Sequence, residues 1–598
     1  MALSTDRNAF LLIRRYLAPK GSIAPVLDLP PQKPACPPPA PVALPFPRAT
    51  PESQGVPSGA VAGFLAALRD DPGLDPHSVL VLRHGRVIAE ASFGAYDLGI
   101  RHVTHSAAKS VTALAVGMLE GEGRLSLDAK VVDLFPEKAT PLAKLLHRDL
   151  AVRHLLTMTS GVAFNELGSV TETDWVGRFL DSAQLTAPGA TFFYNSMNTY
   201  LLSAIVRQVT GECLTDYLRP RLWEPLGIEG IHWERCPAGA EKGGWGLYIR
   251  LEDLAKVGQL VLQDGVWEGR RLVPEAFVRA ATSKQAEVPA GTGDFDYGYQ
   301  MWVGRGRRAF LFNGLFGQNV AGFPDLGLLV ASNAGNPELF QTSPHFAHLA
   351  TWLLDRPLAD APLPPDPTSV ASLRALSAAL RTGAPRGASD FPWATVLGRR
   401  FRIPEADAAE AGTVGVLPFF LQAMQNRYAK GLRGVSFEDS PDGPVLVVEE
   451  ADVVHRLPVG YRSARTAALD FGGESYRVAV AGWRENRGGG SPVLLVRVSF
   501  LESSNARLIR CSFRKGGLLV RWTELPGTDF LSGALAMIRE RVQKSRLVPL
   551  IENAEPLLKR AEPLIGRVRD AGSAYLGARV KRLLEPETWL AEGEGDAP

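Results

Sequence analysis

A serine and a lysine three residues apart precede an apolar segment, and these two residue types could carry out acyl transfer. Ser106 and Lys109 stand just before Val111, Leu114 and Ala115, which recur at helical spacing. In a helix, a spacing of three places both side chains on one face, one turn apart. The N–H groups of a first helical turn favour a developing negative charge. Lys109 could accept the serine proton if burial or a neighbouring cation lowered its pKa.

The Ser-x-x-Lys spacing alone is weak evidence, because the sequence contains it twice. Ser512 and Lys515 have the same spacing, but they lie in a β-prone stretch and not at the start of a helix. For Ser106 and Lys109 the plain alternative is a helix-capping serine beside a solvated lysine. The surrounding sequence decides between the two interpretations.

The sequence around Ser106 resembles the superfamily of serine β-lactamases, penicillin-binding proteins and related esterases, whose nucleophile motif is Ser-x-x-Lys. Five further segments are similar to that superfamily in the same order: residues 50–56, 77–85, 152–161, 193–196 and 245–256. The resemblance extends to class C β-lactamases, esterases and 6-aminohexanoate-oligomer hydrolases. It implies an α+β fold with a β-lactamase-like antiparallel sheet, and hydrolysis through a Ser106 acyl-enzyme. It implies no metal ion and no organic cofactor.

Tyr194 occupies the place of the catalytic tyrosine of this superfamily, on a turn before the apolar segment 201–205. By resemblance, it helps to deprotonate Ser106 or passes a proton to the leaving group. The positive charge of a neighbouring lysine would favour ionisation of its phenol. The motif reads Tyr194-Asn195-Ser196 where the β-lactamase pattern is Tyr-x-Asn, so Ser196 is a candidate substrate-binding residue. Tyr-x-Ser resembles the esterase and amide-hydrolase branch, and a packed tyrosine without a catalytic role is the alternative.

The third motif of the superfamily, Lys-Thr-Gly or His-x-Gly, has its best match in Phe312-Asn313-Gly314. Phe312 and Asn313 are candidate substrate contacts, and Gly314 and Gly317 would let the backbone approach a substrate closely. The Leu315 N–H is the candidate second oxyanion donor beside the N–H of the nucleophile. Because no lysine or histidine occupies the motif, uncharged esters or small amides are expected to be better substrates than β-lactams or D-alanyl-D-alanine peptides. A glycine-rich turn between two strands is the alternative interpretation.

The composition is that of an ordinary globular protein. Of 598 residues, 45% are hydrophobic and 21% are charged, and the formal net charge of +2 favours neither nucleic acid nor an anionic membrane as a partner. The four cysteines lie far apart, and no His-Glu-x-x-His, P-loop or dinucleotide fingerprint occurs. The apolar run at residues 9–13 is too short for a signal peptide, and no run reaches the roughly 20 residues of a membrane span. A cytoplasmic protein without metal or cofactor is expected.

Four regions are expected along the chain. Residues 1–49 form a proline-rich extended lead-in, and residues 50–360 form the β-lactamase-like serine hydrolase domain, which a proline-dense stretch closes. Residues 390–528 contain short β-prone segments separated by turn residues, which predicts a small antiparallel β domain. Residues 529–598 predict a helical tail with a seven-residue repeat, and its mixed charges argue against membrane contact.

The first-ranked function is a serine hydrolase that cleaves an ester or amide of a small molecule through a Ser106 acyl-enzyme. A β-lactamase or D,D-peptidase ranks second, because the cation of the third motif and an export signal are both missing. A function of another class stays open: a catalytically weak binding or regulatory module, with the β domain and the tail supplying the partner site. Labelling by a fluorophosphonate probe separates the enzyme from the binding module.

Overall fold

The structure, a computed structural model, describes residue 27 and residues 29–290, 293–337, 343–381, 388–404, 414–485, 492–527, 581–582 and 584–593. The strands are β1 Pro76–Arg83, β2 Arg86–Ser92, β3 His102–Val103, β4 His232–Trp233, β5 Leu247–Ile249, β6 Val266–Trp267, β7 Arg270–Arg271, β8 Phe295–Tyr297, β9 Trp302–Gly304, β10 Phe310–Gly314, β11 Gln318–Phe323, β12 Leu328–Ala334, β13 Arg400–Arg402, β14 Leu432–Glu438, β15 Val445–Glu450, β16 Val454–Pro458, β17 Arg465–Phe471, β18 Glu474–Glu485, β19 Val493–Phe500, β20 Ala506–Arg514, β21 Gly517–Leu525 and β22 Glu587–Glu592. The α-helices are α1 Ser58–Asp70, α2 Ala108–Gly121, α3 Val131–Leu134, α4 Pro141–Leu146, α5 Val152–Leu156, α6 Glu166–Ser169, α7 Trp175–Leu180, α8 Ser196–Thr210, α9 Leu214–Leu218, α10 Leu251–Leu262, α11 Glu275–Ala281, α12 Pro344–Leu349, α13 Pro367–Ala379 and α14 Phe419–Gln425.

A seven-stranded antiparallel sheet forms the centre of the first part of the chain, in the order β2-β1-β12-β11-β10-β9-β8. Alternate side chains of its strands point to opposite faces. Leu80 and Leu82 of β1 join the core layer of α2, α8 and α10, whereas Val79 and Val81 join the layer of α1. Helices therefore cover both faces of the sheet, and the predicted α+β class is confirmed.

Helix α2 runs through the middle of the larger core layer. Every residue from Ala108 to Leu119 is buried, including Lys109. Because this helix is buried on all sides, the Lys109 side chain in its first turn lies away from water. The helix begins after a short 3-10 turn, His105–Ala107, and this turn carries Ser106.

A ten-stranded antiparallel sheet forms the second part, in the order β16-β15-β14-β13-β22-β21-β20-β19-β18-β17. Its side chains alternate between solvent and a dense apolar interior. Along β16, for example, His455 and Leu457 are buried and Arg456 is exposed. Past the end of β16, at one end of this order, the Gly460 N–H donates at 3.1 Å to Val480 O of β18, the strand next to the other end. This barrel-like unit, here called the C-terminal barrel, confirms the separate β domain.

The end of the chain departs from the predicted helical tail. Residues 529–580 of that tail lie outside the described residues, as do residues 1–26 of the lead-in. Residues Glu587–Glu592, however, form strand β22, which pairs with β13 on one side and β21 on the other. Leu590 is fully buried in the barrel core. The helical prediction is therefore wrong here, because the barrel offers two strand edges that only an extended segment can satisfy.

The lead-in joins the two units. Its described residues from 29 to 47 contain neither helix nor strand, and Lys33 is buried between the barrel and the first domain. Within the described part of the chain, no helix has both the length and the apolar character that a membrane span requires.

Candidate functional site

Ser106 lies on a tight turn, and hydrogen bonds to strand β5 fix the residue just before this turn. Thr104, two residues earlier, donates from its backbone N and its Oγ1 to Leu247 O of β5, at 2.8 and 3.0 Å. His105 has a φ of +45°, an uncommon backbone conformation for a residue with a side chain. The Ser106 side chain is half-buried, and its Oγ lies 2.8 Å from Lys109 Nζ. The sequence-predicted pair is thus brought into hydrogen-bond contact.

The Lys109 amine is removed from water and surrounded by oxygen atoms. The side chain is 1% exposed, and Nζ lies 2.9 Å from Ser196 Oγ and 2.8 Å from Gly244 O. Burial lowers the pKa of Lys109 to about 7, while the negative charge of Glu166 acts in the opposite direction. An amine in this state exists in both protonation forms near neutral pH, as a proton acceptor for a serine requires.

Tyr194 also contacts Ser106. Its hydroxyl is hydrogen-bonded to Ser106, and Lys109 Nζ lies 5.0 Å from its ring centroid. The ring stacks on Trp302 at 5.8 Å between centroids. Burial raises the pKa of Tyr194 above its ordinary value, although the hydrogen bond from Ser106 lowers it somewhat. The sequence-based expectation of easier ionisation beside a lysine is therefore not met, because loss of hydration dominates and the negative charge of Glu166 acts in the same direction.

Ser196 links the lysine to a carboxylate that sequence analysis did not identify. Its backbone N–H, at the start of α8, donates to Glu166 Oε1 at 2.7 Å. Asn195 caps the same helix through Oδ1, which accepts from Met197 N at 2.9 Å. Glu166 begins the short helix α6, in a stretch without a recognisable sequence motif, so only the folded chain reveals its proximity to Ser196.

The turn between β10 and β11, residues 314–318, packs directly on the turn that carries Ser106. A Cβ at Gly314 would lie 2.2 Å from Thr104 O and 3.2 Å from Ala107 N, so only glycine allows this approach. The Leu315 N–H has no acceptor among the residues that the structure describes. Gly317 has a φ of +93°, and a Cβ there would meet Asn336 Nδ2 at 2.6 Å.

The two side chains before Gly314 lie on opposite faces of the sheet. Phe312 is 0% exposed and packs with Phe310 in the core layer of α2, so it is not available to a substrate. The expected substrate contact by Phe312 is corrected accordingly, because strand alternation turns it inward. Asn313 is half-buried and lies on the same face of the sheet as Leu311. The core layer of Leu311 also contacts Tyr194. Asn313 Nδ2 donates to Asn319 Oδ1 at 2.8 Å.

The second Ser-x-x-Lys copy has no comparable geometry. Ser512 lies in strand β20, is buried, and accepts a hydrogen bond from Arg510 Nη1 at 2.9 Å. Among the described residues, no group of three or more His, Cys, Asp or Glu side chains is arranged to hold a metal ion.

Comparison with known proteins assigns the family. The sequence profile of the Beta-lactamase family matches residues 61–350. The 6-aminohexanoate-dimer hydrolase of Paenarthrobacter ureafaciens is 30% identical over 271 residues, which make up 40% of this chain and 68% of that protein. The chain belongs to the beta-lactamase family.

Two other relatives show how varied this beta-lactamase family is. Penicillin-binding protein 4 of Amycolatopsis lactamdurans is 32% identical over 178 residues, or 29% of this chain and 44% of that protein. Esterase EstB of Burkholderia gladioli is 31% identical over 175 residues, or 25% of this chain and 44% of that protein. The chain spans less than half of the length of these two relatives. Because the matched profile ends at residue 350, the C-terminal barrel lies outside the beta-lactamase family match.

Proposed function

We propose that the protein is a serine hydrolase that cleaves an ester or amide of a small molecule through an acyl-enzyme on Ser106. The observation that carries the proposal is the Lys109 amine, buried and 2.8 Å from Ser106 Oγ. With a pKa lowered to about 7, a large share of this amine is neutral near neutral pH. A solvated lysine, with a pKa of about 10.4, would be almost entirely protonated there.

The contacts support a sequence of proton movements. Neutral Lys109 accepts the hydroxyl proton as Ser106 Oγ forms a bond to the carbonyl carbon of the substrate. The N–H groups of Ser106 and Leu315 stabilise the carbonyl oxygen as it becomes negative. The bond to the leaving group then breaks, and the leaving oxygen or nitrogen takes a proton from the Lys109–Tyr194 pair. Lys109, neutral again, deprotonates a water molecule that attacks the acyl carbon. The bond from the acyl carbon to Ser106 Oγ then breaks, and Oγ takes a proton back from the Lys109–Tyr194 pair.

The sequence of β10 favours an uncharged substrate. None of its five residues, Phe310–Gly314, is a cation, and its side chains on the Tyr194 side of the sheet are the apolar Leu311 and the neutral amide of Asn313. A substrate carboxylate would therefore lose the charge-assisted hydrogen bond that an ammonium on this strand would provide. Neutral short-chain esters and small amides fit this site better than penicillins or D-alanyl-D-alanine peptides.

Ser106→Ala tests the nucleophile. A fluorophosphonate probe should label the wild-type protein on Ser106, and turnover of a neutral aryl ester should fall on the order of 10⁴-fold or more in Ser106→Ala. Ser512→Ala is the matched control and should keep both labelling and turnover. An adduct on another residue, or equal behaviour of the two variants, would exclude Ser106 as nucleophile. A wild-type protein that is neither labelled nor active would support the binding or regulatory module instead.

The substrate class is tested separately in the wild-type protein. We expect kcat/KM for a neutral aryl ester to exceed that for a chromogenic cephalosporin. Asn313→Lys should raise the relative rate on the cephalosporin, because it places a cation on the Tyr194 side of β10. A wild-type preference for the cephalosporin would favour the β-lactamase alternative.

A further inference from the structure

The β10–β11 turn, residues 314–318, is held by a side chain that reaches into the C-terminal barrel. Gln318 is fully buried, and its Nε2 lies 3.0 Å from Leu315 O, 2.7 Å from Ala334 O and 2.9 Å from Ser504 Oγ. Ser504 is a buried barrel residue between β19 and β20. The side-chain amide of Gln318 thus connects the carbonyl group of Leu315 to Ser504 of the barrel.

A second barrel residue packs on the neighbours of both expected oxyanion donors. The Phe420 ring lies 5.2 Å from the Phe316 ring and 6.0 Å from the His105 ring, both edge-on. These two rings lie 5.5 Å from each other. His105 directly precedes Ser106, and Phe316 directly follows Leu315. One aromatic cluster therefore spans the nucleophile turn and the β10–β11 turn.

The backbone at this cluster needs external support. His105 has a φ of +45° and Phe316 a φ of +67°, so both lie in the left-handed region, which is unfavourable for residues with side chains. Such conformations persist only where surrounding contacts impose them. Phe420 contacts both of these residues.

The position of Phe420 is itself fixed from both sides. Glu524 of the barrel accepts hydrogen bonds from Phe419 N at 2.7 Å and Phe420 N at 2.8 Å, at the start of α14. Near the other end of α14, Met424 packs on the core of the first domain, and Gln425 Nε2 donates to Glu234 Oε1 at 2.7 Å. Helix α14 therefore links the barrel to the turn that carries Ser106 and to the β10–β11 turn.

We propose that the C-terminal barrel positions the oxyanion donors of the first domain through Phe420 and Ser504, so that full activity requires the docked barrel. The inference rests on the proposed function and adds two positioning residues to it. Neither residue takes part in bond making. We expect them to contribute when the Leu315 N–H stabilises the oxygen of the tetrahedral intermediate, and not when the substrate binds.

The test uses the full chain with Phe420→Ala and Ser504→Ala, and expresses kcat per active site titrated with the fluorophosphonate probe. Phe420→Ala should lower kcat for a neutral aryl ester on the order of tenfold or more, with KM changed less than twofold. The inhibition constant of phenylboronic acid, which forms a tetrahedral adduct with a serine, should rise by a similar factor. Phe420→Tyr and Ser504→Thr keep the ring and the hydroxyl, and should restore most of the activity.

Trp393→Ala is the matched control, because Trp393 is also an aromatic residue packed on the barrel core, and its ring contacts Phe391 within the barrel. It should change kcat less than twofold. Equal losses in Phe420→Ala and Trp393→Ala, or a raised KM with unchanged kcat, would overturn the inference. If Phe420→Ala does not fold, Phe420→Leu is judged by the same criteria. A wild-type protein without labelling or turnover refutes the proposed function itself, whereas an active wild type with unaffected variants refutes only the role of the barrel.

Discussion

At the scale of single residues, the proposed mechanism makes activity depend on the protonation state of Lys109. Only the neutral amine can accept the Ser106 proton, and burial lowers its pKa to about 7. Below that pH the amine is protonated and the serine has no base. Tyr194 does not replace it, because burial raises the pKa of its phenol and keeps the hydroxyl protonated. Tyr194 is therefore suited to donate a proton, and Lys109 to accept one.

A pH profile measures this directly. We expect kcat/KM for a neutral ester to fall as the pH drops below about 7, following the pKa of Lys109. The charge of Glu166 raises that pKa, so Glu166→Gln should shift the acid limb to lower pH. A glutamine oxygen can still accept the hydrogen bond from Ser196 N, which separates the effect of charge from that of shape.

The control for this prediction is an exposed carboxylate of the barrel. Glu438 pairs with Arg456 at the surface, so Glu438→Gln should leave the acid limb unchanged. An acid limb that does not move in Glu166→Gln, or that moves to higher pH, would show that Glu166 does not act on the amine.

At the scale of elements, the site depends on the close approach of two turns. Gly314→Ala should lower kcat for a neutral ester by about 10²-fold, the usual cost of one misplaced oxyanion donor. The reason is that its Cβ would lie 2.2 Å from Thr104 O, and backbone atoms cannot move aside as a flexible side chain can. Gly306→Ala is the control, since a Cβ there meets nothing within 4 Å. Equal activity of the two variants would contradict the proposed oxyanion role of the β10–β11 turn.

Elements that depend on local sequence could be predicted. The β1–β2 hairpin has its turn at His84 and Gly85, and helix α2 follows Ser106 at the expected spacing. The main barrel strands follow from their β-prone segments. In each case the pattern that identifies the element lies within about a dozen residues.

Elements that depend on distant partners could not be predicted. Strand β22 pairs with β21 although Leu525 and Glu587 are far apart in sequence, and nothing local indicates that partner. Phe312 is assigned to the third motif from the order of the motifs along the chain. The motif does not indicate which face of β10 packs into the core, and Phe312 lies on that face. Glu166 and Phe420 reach the site only through tertiary packing.

At the scale of the whole molecule, three parts of the chain meet at one buried carboxylate. Glu502 of the barrel forms ion pairs with Lys33 of the lead-in and with Arg101 of the first domain, whose Nε lies 2.9 Å from Glu502 Oε1. All three side chains are at most 7% exposed. A backbone hydrogen bond adds to these ion pairs, with Val103 N donating to Glu502 O at 2.8 Å. The barrel is thus attached beside β3, which ends three residues before Ser106.

Glu502→Gln tests how strongly this attachment stabilises the fold. The substitution keeps the shape of the side chain but leaves two buried cations without their counter-charge, which should lower the free energy of unfolding by about 3–5 kcal/mol. Glu438→Gln removes a carboxylate from an exposed pair and should cost less than about 1 kcal/mol. Urea unfolding, followed separately by tryptophan fluorescence and by loss of fluorophosphonate labelling, gives both numbers. If the barrel positions the oxyanion donors, Glu502→Gln should lose labelling and tertiary structure at the same urea concentration, and this concentration should be lower than in the wild-type protein. Labelling that survives to higher urea in Glu502→Gln would mean that the first domain keeps its active geometry without the barrel.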